Sequence, residues 1–111
     1  MITHIVCWKL ISDETHDADA NAARIKEELE ALVGIVPGLL TMEVGRGLKA
    51  EAEYDLCLVS TFESVETLQA YRTHPAHVAV AEFVHTALCK RTAIDFENDG
   101  LIDGAVDPFV F

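Results

Sequence analysis

The chain has 111 residues, of which 50% are hydrophobic and 24% are charged. This length and composition predict one folded domain with a single core. The 19 Asp and Glu residues outnumber the 8 Lys and Arg residues and give a net charge of −11. A surface this acidic repels phosphate backbones and anionic lipid headgroups, so it argues against nucleic-acid binding. It also disfavours a strongly anionic substrate unless a local basic group compensates.

No apolar run reaches the roughly 18 residues that a membrane-spanning helix needs. The first residues also lack the basic start and long apolar stretch of a signal peptide. Cys7, Cys57 and Cys89 show neither the spacing of a disulfide framework nor that of a zinc ribbon. We therefore expect a cytoplasmic protein with reduced thiols and no membrane partner.

The first half of the chain predicts a strand, a helix and a second strand. Residues 1–11 alternate between two largely apolar faces, which is typical of a central strand covered on both sides. Apolar residues then follow helical spacing as far as residue 36, and Gly34 and Pro37-Gly38 end this helix. Residues 39–48 predict the second strand, in which Gly45 and Gly47 indicate a bulge or bend near its end.

The second half predicts a strand, two helices and a last strand. Residues 54–62 are dense in apolar side chains and predict the third strand. Ser64 is a suitable N-cap for a helix that continues to about Tyr71. Pro75 suits the first position of the next helix, because its missing N–H is not needed there. Residues 91–97 predict the fourth strand.

The element order β-α-β-β-α-α-β predicts an α+β fold, the ferredoxin-like arrangement with a four-stranded antiparallel sheet. Helices would cover one face of this sheet, whereas the strands are apolar on both. Two such sheets packed face to face would cover the second face, so the pattern predicts a homodimeric α+β barrel. The tail, residues 98–111, alternates acids with large apolar residues. We expect it to pack on the barrel or on the partner subunit, with disorder as the alternative.

The break between the two predicted helices gathers Tyr71, His74 and His77. His77 falls in the first turn of the second helix, where the positive end of the helix dipole disfavours imidazolium. It should therefore stay neutral, as a general base requires. Tyr71 could donate a hydrogen bond to a substrate carbonyl or enolate. The alternative is a packed corner in which Tyr71 and His77 satisfy each other, while His74 caps the helix or faces solvent.

The sequence gives no sign of a metal or cofactor site. The pair His74-x-x-His77 has a spacing that places two residues on one helix face. However, Pro75 lies between the two histidines, and no carboxylate or thiol stands at a companion spacing. Gly45-Arg46-Gly47 is too short for a phosphate-binding loop, and no nucleotide or haem-attachment motif is present. We therefore expect no metal and no cofactor.

Several short motifs resemble, in order and spacing, those of the stress-responsive dimeric α/β-barrel (Dabb) family. They are Ile2-Thr3-His4-Ile5-Val6, Val36-Pro37-Gly38, Tyr54-Asp55, Phe62-Glu63-Ser64, Tyr71, His74-Pro75-Ala76-His77 and Asp95-Phe96. The resemblance covers residues 1–97 as one domain, and it implies a ferredoxin-like protomer in a barrel dimer. It does not fix a function, because most members of the family have no assigned reaction and one fold hosts many.

Two of these runs are also similar to those of olivetolic acid cyclase, a plant member that closes a linear polyketide by aldol condensation without a cofactor. This resemblance implies His77 and Tyr71 as catalytic residues and His4, on the first strand, as a further residue of the pocket. Another pocket histidine of that enzyme has no counterpart, because its position is Leu56 here. The departure argues against the same cyclase reaction.

The sequence thus predicts a small homodimer with an apolar pocket between sheet and helices that binds or processes a small apolar or carbonyl-containing molecule. His4, Tyr71 and His77 are the catalytic candidates, and the substrate-binding candidates are Trp8, Leu56 and His74. Whether the chain is an enzyme stays open. One alternative is a cofactor-independent cyclase, lyase or isomerase with His77 as base and Tyr71 as carbonyl donor. Another is a structural, stress-associated oligomer without catalysis.

Overall fold

The computed structural model describes residues 1–49 and 51–98, and within them the predicted order of elements is confirmed. The elements are β1 (Ile2–Leu10), α1 (Ala18–Glu30), β2 (Leu39–Arg46), β3 (Leu56–Phe62), α2 (Val65–Thr73), α3 (Pro75–Ala87) and β4 (Leu88–Glu97). None of these helices is long and apolar enough to cross a membrane. Of the tail, only Asn98 belongs to the described residues, so the packing predicted for it lies outside them.

The four strands form one antiparallel sheet in the order β2-β3-β1-β4. The strand β1 is central and pairs with both β3 and β4. Its register places His4 between Ser60 on β3 and Asp95 on β4. This is the ferredoxin-like arrangement that the element order predicts.

The two faces of the sheet differ in what covers them. The helices pack on one face, and the side chains that β1 and β3 place there are buried, among them Val6, Trp8 and Phe62, whereas those of the edge strand β4 are exposed. The other face carries apolar side chains with no described cover: Val59 is 43% exposed, Ile94 61% and Phe96 38%. The prediction that the strands are apolar on both faces therefore holds, with one face open in the single chain.

The helix α1 is shorter than its apolar spacing predicts. It ends at Glu30, and the chain continues to residue 36 in tight turns, in which the N–H of Val36 donates to the carbonyl of Leu32. Gly34 adopts a φ of +89° in these turns, a conformation that costs other residues strain. The apolar residues beyond Glu30 reach the core from these turns. The periodicity of the sequence cannot distinguish such turns from a continued helix.

The bulge predicted near Gly45 and Gly47 is wrong in its position. Gly45 pairs in regular register with Cys57, and the irregularity of β2 lies at its start, between Leu39 and Thr41. This end of β2 follows Gly38, whose φ is +81° and whose position leaves no space for a Cβ atom beside Thr67. The chain thus turns into the sheet through a glycine packed against the start of α2.

The junction of α2 and α3 follows from three residues of the sequence. Ser64 caps α2 in a capping box, in which its side chain accepts from the N–H of Thr67 and the Thr67 side chain accepts in return. His74 precedes a proline, which favours the extended conformation that it adopts (φ −64°, ψ 131°). Its Nδ1 accepts from the N–H of Ala76 at 3.1 Å and so caps α3. The break therefore lies at His74-Pro75, as predicted.

The Ser64→Ala variant should lose about 1 kcal/mol of unfolding free energy, because the N–H of Thr67 loses its acceptor. Urea denaturation followed by circular dichroism measures this loss. Ser12→Ala is the matched control, since Ser12 is exposed and lies outside the helices. Equal stability of the two variants would contradict the capping role.

Candidate functional site

A cavity of about 100 Å³ lies between the helix-covered face of the sheet and the helices α2 and α3. Its walls are mostly apolar, and the polar side chains among its lining residues are His4, Tyr71, His77, His85 and Arg91. The volume is about that of three liquid water molecules, so it admits the reacting part of a small molecule. A partly enclosed, mostly apolar space with a few convergent polar groups is typical of small-molecule sites.

A larger depression, about 850 Å³, lies at the other end of β1, where residues 9–19 and 46–49 meet. It is wide open, and two of its cations are paired with carboxylates: Lys9 lies 3.4 Å from Asp55, and Arg46 lies 2.8 Å from Asp19. Size alone therefore does not indicate a site there. The smaller cavity holds the groups that can transfer protons.

His4 is held in the cavity wall by a carboxylate. Its Nδ1 is hydrogen-bonded to the carboxylate of Asp95, and the guanidinium of Arg72 lies 3.1 Å from the other carboxylate oxygen. A carboxylate only accepts, so the bonded Nδ1 carries a hydrogen. The imidazole is 6% exposed, and its orientation is fixed by the strand pairing of β1 with β4. A base oriented by a third group is a recurring catalytic arrangement.

Tyr71 lies in the second wall, on α2, and is 2% exposed. Its ring centroid lies 5.0 Å from that of Phe62 and 4.0 Å from that of His77. Among the described residues, no group is hydrogen-bonded to its hydroxyl. Burial raises its pKa far above the ordinary value, so the phenol stays protonated and serves as a donor. The hydroxyl is thus available to an oxygen atom bound in the cavity.

His77 lies in the first turn of α3 and lines the same cavity. Its Nδ1 lies 3.3 Å from the backbone carbonyl of Arg72, and because a carbonyl only accepts, Nδ1 carries the hydrogen. Burial lowers the pKa of His77, the hydrogen bond to Arg72 partly opposes this, and the nearby rings of His4 and His74 lower it further. At neutral pH the ring is therefore uncharged, and its Nε2 has a free lone pair.

The predicted site residues divide into two groups. The structure brings His4, Tyr71, His77 and Trp8 together as lining residues of the cavity. Leu56 and His74 are not among them. Leu56 is buried at a shallow depression beside α1, because it lies opposite Arg46 and Trp8 at the far end of β3. The ring of His74 is used to cap α3.

The sequence reasoning missed two charged residues, Asp95 and Arg91, as members of the site. Both lie on the helix-covered face of β4, where Asp95 pairs opposite His4 and Arg91 opposite Trp8. The alternation of β4 predicts that the two residues share a face. It does not predict which residues of β1 they lie opposite, because that depends on the register between the two strands. Leu58 is the apolar wall on β3 in place of Leu56.

No group of three or more His, Cys, Asp or Glu side chains within residues 1–49 and 51–98 has the geometry of a metal site. Two histidines of the cavity, His4 and His77, each use Nδ1 for a protein group. The arrangement supplies acid–base and hydrogen-bonding chemistry through its own side chains: imidazoles that can exchange protons and one phenol that donates.

The sheet order and the helices on one face define a ferredoxin-like α+β protein. Among similar solved structures, a dimeric protein of unknown function and ferredoxin-like fold from Bacteroides fragilis is 28% identical, with a TM-score of 0.79 over 86% of this chain and 94% of that one. A dimeric ferredoxin-like protein of unknown function from Thermobifida fusca is 26% identical, with a TM-score of 0.71 over 86% of this chain and 88% of that one.

The chain belongs to the Dabb family, because the family model of the stress responsive A/B barrel domain matches residues 2–98. The family resemblance drawn from the motifs is thereby confirmed. A hydroxynitrile lyase from Passiflora edulis is 20% identical, with a TM-score of 0.75 over 91% of this chain and 96% of that one, and it shares the fold. A search of curated proteins gives no match.

The titration of His77 should have its midpoint below 6.5, because burial disfavours the charged ring. His16 is the control. It is exposed and bonded to Asp13, which raises its pKa, so its midpoint should lie above 6.5. Two-dimensional NMR of the imidazole protons measures both. A midpoint for His77 at or above that of His16 would contradict the buried, neutral base.

The same shifts have opposite consequences for stability. As pH falls below 6.5, the unfolded chain protonates His77 before the folded chain does, so His77 reduces the unfolding free energy. His16 increases it in the same range, because the folded chain binds that proton more tightly. The pH dependence of urea unfolding in His77→Gln and His16→Gln should therefore depart from wild type in opposite directions.

Proposed function

We propose that this protein is a homodimer that binds a small carbonyl compound in the cavity of each protomer and transfers a proton at the carbon next to the carbonyl. The observation that carries this proposal is the convergence of His4, Tyr71 and His77 on one apolar cavity, with atoms that no described protein group uses. A packed corner in which Tyr71 and His77 satisfy each other would instead bond the hydroxyl to the imidazole.

The three side chains have distinct roles in the proposed reaction. The hydroxyl of Tyr71 donates to the carbonyl oxygen and stabilises the negative charge that this oxygen gains as an enolate forms. The Nε2 of His77 takes the proton from the adjacent carbon. The protonated Nε2 of His77 then returns the proton to carbon, and the imidazole of His4, held by Asp95, hydrogen-bonds a second oxygen-bearing group of the ligand. Every proton is moved by the chain's own side chains.

The cavity favours carbonyl chemistry over the alternative of a structural oligomer. The hydroxyl of Tyr71 has no protein partner among the described residues, and placing it in a mostly apolar wall costs some free energy, so a protein that needed only packing would gain stability from an apolar side chain there. This cost is offset when a ligand oxygen accepts from Tyr71. The presence of a lyase among proteins of the same fold is compatible with this proposal, since fold alone does not fix a reaction.

The test of proton transfer uses hexane-2,5-dione in deuterium oxide, with exchange of the protons next to its carbonyls followed by NMR. Wild type should accelerate this exchange, and His77→Gln should abolish the acceleration because an amide cannot accept the proton. Tyr71→Phe should reduce it about 100-fold, the usual effect of removing one donor to a developing oxyanion. His16→Gln, which removes an imidazole that does not line the cavity, should retain it.

Circular dichroism must show that each variant is folded. Exchange at the wild-type rate in His77→Gln would exclude His77 as the base. If wild type neither accelerates exchange nor is stabilised by the dione against heat, while Tyr71→Phe is more stable than wild type, the structural alternative is correct.

The homodimer is proposed from the open face of the sheet. An apolar surface formed by Ile5, Val59, Ile94 and Phe96 on one sheet face is unfavourable in water, and a second copy of the same face covers it symmetrically. The similar proteins from Bacteroides fragilis and Thermobifida fusca are dimeric, which supports the same assembly here.

Light scattering should give about twice the chain mass of 12.2 kDa. Ile94→Lys, which places a charge on the open face, should shift the protein to the monomer. Ile35→Lys is the matched control, because Ile35 is similarly exposed (57%, against 61% for Ile94) but lies in the turns after α1. A wild-type protein that is monomeric at micromolar concentration would contradict the face-to-face barrel.

A further inference from the structure

We propose that Arg91 binds a carboxylate at the mouth of the cavity, so that the molecule processed there is a small oxo acid. This inference rests on the proposed function and specifies its substrate class. Arg91 is a cation that lines the cavity and that has no role in the proposed proton transfer.

The ion pairs of the chain distinguish Arg91 from the other basic residues. Six of the 8 Lys and Arg side chains are paired with a carboxylate: Lys9, Arg24, Lys26, Arg46, Arg72 and Lys90. Arg91 and Lys49 have no carboxylate partner among residues 1–49 and 51–98. The chain has 19 Asp and Glu residues, yet none of the described ones pairs with the guanidinium of Arg91, which lines the cavity.

The strand pairing fixes where Arg91 lies relative to the reacting groups. Arg91 and Asp95 are four residues apart on the same face of β4, so their Cα atoms are separated by about 13 Å along the strand. Ala93, between them, is small and lies opposite Val6. The cavity therefore has an acid–base end, at His4 and Asp95, and a cationic end, at Arg91, with apolar walls between.

The two ends select a molecule with two different oxygen groups. The acid–base end suits an uncharged carbonyl, because Tyr71 donates one hydrogen bond there and burial disfavours charge. The guanidinium of Arg91 suits a carboxylate, which it can bind through two parallel hydrogen bonds. Arg91 also supplies the local basic group without which a net charge of −11 would repel an anionic molecule.

The inference is tested with pairs of probes that differ only in charge. The oxo acids 4-oxopentanoate and 6-oxoheptanoate are compared with the diones hexane-2,5-dione and octane-2,7-dione, in which a methyl group replaces one carboxylate oxygen. Two spacer lengths are used because the side chain of Arg91 is long. Dissociation constants are measured by isothermal titration calorimetry at low salt and in 0.3 M sodium chloride.

Wild type should bind at least one oxo acid about 10- to 100-fold more tightly than its dione, and salt should weaken only the oxo acid. Arg91→Gln should remove this preference, because it weakens the binding of the oxo acid much more than that of the dione, and Arg91→Lys should restore part of it. Lys49→Gln, which changes the net charge by the same amount but removes a cation remote from the cavity, should retain the preference.

The outcomes separate this inference from the proposed function. Equal binding of oxo acids and diones, both weakened by Tyr71→Phe, would overturn the role of Arg91 and leave carbonyl binding intact. A preference that survives in Arg91→Gln would overturn it as well. Binding of none of the four probes would overturn the proposed function and this inference together.

Discussion

The alternation of the central strand β1 determines most of what this protein can do. Side chains at even positions, from His4 to Trp8, face the helices, and those at odd positions face the open side. Successive residues of a strand point to opposite faces. The residues on one face can therefore be polar or apolar independently of those on the other. One strand therefore contributes both a catalytic candidate, His4, and an apolar position of the open face, Ile5.

The break at His74-Pro75 is the second requirement of the site. Tyr71 lies in the last turn of α2, buried against Phe62, and His77 lies in the first turn of α3 with its ring centroid 4.0 Å from that of Tyr71. A continuous helix would place residues six apart on different faces. The proline ends α2, the His74 ring caps α3, and the carbonyl of Arg72 that is freed at the end of α2 accepts from His77. The same break thus positions the base and fixes its tautomer.

Much of this arrangement follows from local signals in the sequence, and the rest depends on contacts between distant segments. The strands, the cap at Ser64 and the start of α3 at Pro75 are encoded by neighbouring residues, so they could be predicted. The end of α1 could not, because Leu32 and Val36 are apolar at helical spacing yet reach the core from turns. Asp95 and Arg91 were missed because only the pairing of β4 with β1 brings them to the cavity. The prediction that Leu56 lines the cavity was wrong for the same reason, because the residues near Leu56 are determined by the pairing of β3 with its neighbouring strands.

The two thiols on the open face illustrate how burial controls reactivity. Cys7 and Cys57 are direct neighbours on adjacent strands, with their sulfur atoms 3.3 Å apart. Burial and the adjacent thiol raise the pKa of Cys57 to about 11. At pH 7 only about one molecule in 10,000 carries a thiolate there, and the thiolate is the form that attacks electrophiles. The thiol of Cys57 is therefore a poor nucleophile at neutral pH, and it serves the sheet as a small apolar group rather than as a reactive one.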